Sequence, residues 1–155
     1  MKAVVVGVGN EFRGDDAAGL AVAEALRDRV PRGVEIVRCE DEPSRLIDAW
    51  AGADAAILVD AAACRSRPGV LHRLDAVAHR LPASLFPPST HAFGLAETIE
   101  LARAVGRLPA RVLVYAIEGA SFETGAGLTS AVREAVDSVA AAILDDLEEL
   151  CTSAP

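Results

Sequence analysis

Two kinds of apolar pattern alternate along this chain. At 2–9, 34–39, 55–63 and 111–119 short runs rich in Val, Ile, Leu and Ala stand between turn residues. Most of them lack polar alternation, as expected of strands covered on both faces. Between them, at 15–30, 43–53, 92–106 and 130–150, apolar residues recur every three or four positions, the period of a helix with one buried face. Leu20, Ala23, Leu26 and Val30 make such a stripe. The segment 65–75 differs from both, a turn followed by an alternating strand, and is expected at a sheet edge. Pro82, Pro87 and Pro88 mark an irregular stretch before Ser89, Thr90 and His91.

Strand and helix therefore alternate, which predicts βαβ units and an α/β fold. The expected architecture is a three-layer α/β/α sandwich around a mostly parallel, twisted sheet of about five strands. At 155 residues the chain has the size of one domain. We place that domain at 1–150 and expect a short flexible tail at 151–155. In such sheets ligands bind outside the carboxyl ends of the strands, near the switch in strand order.

The chemically suggestive residues lie at those ends. Positions 7–19 read GVGNEFRGDDAAG, directly after the first strand. Gly7 and Gly9 suggest a phosphate cradle, but a dinucleotide fingerprint needs its third glycine where Phe12 stands. Asp15 and Asp16 would also repel a pyrophosphate at the start of the following helix. Two like charges ~4 Å apart cost on the order of 4 kcal/mol at an effective dielectric near 20. Asp15 is placed to cap that helix. One cap suffices, so Asp16 is free to face the cleft, where a cation would make it welcome. Asp60 ends the apolar strand AILVD, where an unpaired carboxylate is expensive, unless it caps a neighbouring backbone. His91 precedes a helix. Together Asp16, Asp60 and His91 would make a three-ligand site with open positions, suited to nickel, zinc or manganese. His72 and His79 read as structural or solvated.

Composition narrows the partners. A net charge of −8 argues against nucleic acid, which needs a basic stripe. No apolar run approaches the ~20 residues that cross a bilayer, and the first run is too short for a secretory signal. A cytoplasmic protein with no membrane insertion is expected, working as a monomer. Cys39, Cys64 and Cys151 are widely spaced and form neither a disulfide framework nor a zinc motif. Cys39 and Cys64 are expected to be small buried hydrophobes, and Cys151 to lie in the tail.

The blocks GVGNEFRGDDAAGLAVAEAL, ILVDA, STHAFGLAE and EG…GAGLTSAV, in that order, resemble the nickel–iron hydrogenase maturation endopeptidases. The resemblance covers nearly the whole chain, and its first block is the most specific. It implies an endopeptidase that removes a C-terminal extension from the precursor of the hydrogenase large subunit after nickel has been loaded. The metal-binding trio it implies falls on Asp16, Asp60 and His91, which would meet nickel brought by the substrate and serve the cleavage. Asn10, Asp41 and Glu42 are expected to contact the substrate. The family often has a Gly-Gly-Thr-like turn after the second strand, whereas this chain has EDEPSRL at 40–46, an acidic rim suited to a basic extension. Two other readings are a nickel checkpoint that binds without cutting and a flavodoxin-like module for a small ligand.

Overall fold

The computed structural model describes residues 1–40, 42–86 and 94–153. Five strands form one sheet among them: β1 (Ala3–Val8), β2 (Val34–Cys39), β3 (Ala55–Ala62), β4 (Leu71–Asp75) and β5 (Arg111–Glu118). Their order is β2-β1-β3-β5-β4. β1 pairs in parallel with β2 and β3, and β3 with β5, while β4 runs antiparallel along β5 at the outer edge. The expected mostly parallel α/β sheet is therefore present, with the alternating segment at its edge.

The helices α1 (Ala18–Leu26), α2 (Leu46–Ala49), α3 (Leu95–Ala104) and α4 (Ser130–Thr152) cover the two faces. Alternation along each strand decides which residue meets which layer. Val5, Ile57, Val59, Tyr115 and Ile117 pack with Val22 and Leu26 of α1 and with Val136, Ile143 and Leu147 of α4. Val4, Val6, Ala56, Leu58 and Val114 pack on the other side with Leu46, Trp50 and Ile99. Trp50 is 2% exposed and its indole N–H donates to the Arg107 carbonyl at 2.9 Å, which joins the ends of α2 and α3.

Several boundaries differ from the sequence reading. The helix expected over 15–30 is a 3-10 turn at Gly14–Ala17 followed by α1, which stops at Leu26. Arg27 leaves the helical path with ψ 133°, and Asp28 follows at φ 63°, a left-handed conformation that Asp tolerates better than most side chains. The helix expected over 43–53 is reduced to a 3-10 turn at Pro43–Arg45 and the four residues of α2. The last helix runs on to Thr152, so Cys151 lies within it rather than beyond it. Cys39 is buried as expected, but Cys64 is exposed because β3 ends at Ala62 and the chain has already left the sheet.

The glycines of the first loop serve close packing. A Cβ on Gly19 would collide with the carbonyl oxygens of Val8 and Val59, and one on Gly7 with the carbonyl of Gly19. The first turn of α1 therefore sits directly against the ends of β1 and β3.

Candidate active site

β1 lies between β2 and β3, so the chain leaves β1 toward one neighbour and later returns on its other side. That is the switch point, and the two acids flank it. The register of β1 against β3 ends at Gly7 and Val59, whereas β3 continues beside β5 with Asp60 opposite Ala116. Asp60 is therefore the first β3 residue without a β1 partner. By strand alternation its side chain belongs to the α2/α3 face. It is half-buried, and its Oδ1 accepts the N–H of Ala61 at 2.8 Å.

Asp16 sits in the 3-10 turn that follows β1. Its N–H donates to the Arg13 carbonyl at 3.0 Å, and its own carbonyl accepts Asn10 N–H at 3.3 Å. These bonds fix the backbone on both sides of a half-buried carboxylate. Burial pushes the Asp60 carboxyl well above the usual carboxylate range, and the charge of Asp16 pushes it further. Two acids from distant parts of the chain thus influence each other's surroundings near the switch point, Asp16 through its charge on Asp60. His91 and Asp41 lie outside the described residues. Among the described residues no three His, Cys, Asp or Glu side chains gather as metal ligands.

Asp15 does something other than the expected capping of α1. It is fully buried, and its carboxylate crosses to the β5–α4 loop. There Oδ2 accepts Ala120 N–H at 2.7 Å, Ser121 N–H at 3.2 Å and the Thr129 hydroxyl at 2.8 Å, while Oδ1 accepts Thr129 N–H at 2.8 Å. Burial would raise its pKa, but the bonds from Thr129, Ala120 and Ser121 outweigh that and hold it below the usual carboxylate range. The correction has a simple cause: α1 begins only at Ala18, after the turn has aimed Asp15 away from the helix axis.

Glu118 is a second buried acid, which the sequence reading passed over. It ends β5 beside Ala62 and accepts the N–H groups of Arg65 and Ser66, the latter at 2.7 Å, and meets His72 Nε2 at 2.8 Å. Burial opposes ionisation there, and the Ser66, Arg65 and His72 contacts overcome it, so its pKa is lowered. The signal was available: VYAIE, like AILVD, is an apolar strand ending in one acid. His72 is thus structural, as expected.

At the rim, the Arg38 guanidinium lies 3.3 Å from both Glu11 and Glu40, which ties the first loop to the end of β2. The Asn10 side-chain oxygen accepts Phe12 N–H at 2.9 Å. Glu42 is exposed, and its carbonyl accepts Arg45 N–H at 3.0 Å.

Known proteins resemble this chain in sequence and in fold. The family model described as hydrogenase maturation protease matches residues 20–146. The hydrogenase 2 maturation protease of Escherichia coli K12 is 30% identical over 154 residues, which cover 96% of this chain and 92% of that protein. The chain belongs to the hydrogenase maturation protease family. Among solved structures, the hydrogenase maturating endopeptidase HybD from E. coli superposes with a TM-score of 0.79 at 28% identity, covering 96% of this chain and 93% of that one. The nickel–iron hydrogenase maturation protease HycI from Thermococcus kodakarensis gives 0.75 at 25% identity, covering 95% and 92%. The chain is accordingly a hydrolase of the endopeptidase class, which removes the flavodoxin-like ligand module from consideration. Among the described residues no helix is long and apolar enough to cross a membrane.

Proposed function

We propose that this protein removes the C-terminal extension from the nickel-loaded large-subunit precursor of a nickel–iron hydrogenase, with Asp16, Asp60 and His91 meeting the nickel that the substrate carries. The observation behind this reading is the Asp60 carboxyl, pushed up by burial and then by the charge of Asp16. A carboxylate that burial and a second acid make costly to ionise, near a switch point, is relieved by a doubly charged guest. Their oxygens, with one imidazole, suit nickel and other divalent ions.

In this reading Asp16, held by Arg13 and Asn10, keeps a fixed charge toward the cleft. Asp60 takes up a proton more readily than an ordinary carboxylate, so the pair is able to divide one proton between them and to orient a water beside the scissile peptide. Nickel, when bound, supplies a charge that polarises the carbonyl. We assign the substrate contacts to Asn10, Asp41 and Glu42. The acidic positions 40–42 favour an extension of opposite charge.

The test uses purified nickel-loaded precursor and mass spectrometry. Wild-type protein shortens the precursor by one defined C-terminal fragment. Asp16→Asn, Asp60→Asn and His91→Ala leave its mass unchanged while keeping a cooperative unfolding transition. A precursor that binds wild-type protein yet keeps its full mass would replace this reading with that of a checkpoint that binds without cutting.

A further inference from the structure

Phe12 is 67% exposed, the most exposed of the large apolar side chains among the described residues. A single surface apolar residue is ordinary and by itself means nothing. What sets Phe12 apart is how firmly its backbone is held. Its N–H donates to the Asn10 side chain at 2.9 Å, and its carbonyl accepts Gly125 N–H at 2.8 Å. Gly125 belongs to the β5–α4 loop, which is fastened to the first loop along its length. Gly14 N–H donates to the Ala126 carbonyl at 3.1 Å and Asp15 N–H to the Ser121 carbonyl at 2.8 Å, and the buried Asp15 carboxylate takes the four further bonds from Ala120, Ser121 and Thr129. Gly14 and Gly125 both have positive φ, 55° and 83°, the backbone shape these crossings need.

Two loops at one end of the sheet are thus clamped into a single mount, and the mount ends in a bare benzyl group. Restraining a side chain's backbone before binding removes part of the ordering cost of association. Phe is among the aromatic residues enriched at protein–protein interfaces. The same loop carries Asp16, whose carbonyl is bonded to Asn10, so any surface that seats Phe12 is held in fixed register with the acid pair.

We propose that Phe12 is a docking anchor, which inserts into an apolar depression on the folded body of the large-subunit precursor and thereby sets the distance from that body to the Asp16–Asp60 cleft. This inference rests on the proposed function, since the partner is the same precursor. It adds a specificity contact made by a side chain other than the acids themselves.

The experiment compares wild type, Phe12→Ala and Phe12→Leu against nickel-loaded precursor, reading KM and kcat for cleavage and Kd by calorimetry. Because Phe12 is exposed, unfolding midpoints of the variants should match wild type. Phe12→Ala is expected to raise KM and Kd roughly tenfold or more with kcat near the wild-type value, and Phe12→Leu to recover most of the loss. KM and Kd within about twofold of wild type for Phe12→Ala, alongside normal cleavage by wild type, would overturn the anchor and leave the protease reading standing. Failure of wild type itself to cleave or bind the precursor would overturn both.

Discussion

The Asp15 carboxylate accepts both the backbone N–H and the hydroxyl of Thr129, each at 2.8 Å, across 114 positions of sequence. Thr129 is the residue that precedes α4, so this contact ties the start of the longest described helix to the loop after β1. Asp15→Ala would leave three N–H groups and a hydroxyl without the carboxylate they now share in a part-buried setting. We expect a loss of about 3–5 kcal/mol in unfolding free energy. The wild-type contribution has a definite pH sense. A carboxyl held below its ordinary value of 3.8 stabilises the fold above that pH, and this stability is lost as pH falls through 3.8 toward the folded value. The variant should therefore show a flatter acid limb. Denaturant titrations across that range measure both effects, and a loss under about 1 kcal/mol would show that the clamp is not structural.

Asp60 behaves in the opposite sense. Its folded-state carboxyl binds protons more tightly than in the unfolded chain, because of burial and then the Asp16 charge. Metal-free protein should therefore lose stability as pH rises from 3.8 toward the raised folded value. Asp60→Asn removes that loss. The variant should equal wild type in stability at low pH and exceed it increasingly at higher pH, while cleavage disappears. A stability difference that does not change with pH would contradict the electrostatic account of the pair. Such a trade of stability for activity is expected where charges are gathered for function.

Gly19 tests whether the glycines of the first loop are there for packing. A Cβ at this position meets only fixed backbone, the carbonyls of Val8 and Val59. Gly19→Ala should lift α1 from the sheet and cost about 3 kcal/mol, with cleavage impaired through displacement of Asp16. Gly127 has nothing within 4 Å of the equivalent position, so Gly127→Ala is the control and should leave both stability and cleavage near wild type. Equal behaviour of the two variants would remove the packing explanation.

Much of the fold was legible from local pattern. β2 falls on 34–39 residue for residue as expected, and the alternation after Gly69 marked an edge strand. Asp60 stood out as a carboxylate in an apolar run, which has few cheap explanations, and Asp16 as a second acid where one cap suffices. The misjudged features were those that depend on where a backbone turns. Cys64 follows an apolar strand yet is exposed, and Asp15 resembles a helix cap yet bonds to a loop over a hundred residues away.

By itself, then, the sequence determined which segments are strands and helices, how the layers alternate and that an acid, Asp60, falls near the carboxyl end of a central strand. Those properties follow from side-chain period and solvation, which act over a few residues. Tertiary structure alone decided that Asp16 lies close enough for its charge to act on Asp60, that Asp15 and Glu118 spend their charge on loop backbone, and that Phe12 stands on a doubly pinned mount. Each of these depends on which strand neighbours which and on close approach at Gly7, Gly14 and Gly19. Such long-range register comes from the packing of the whole sheet and is written in no single stretch of the chain.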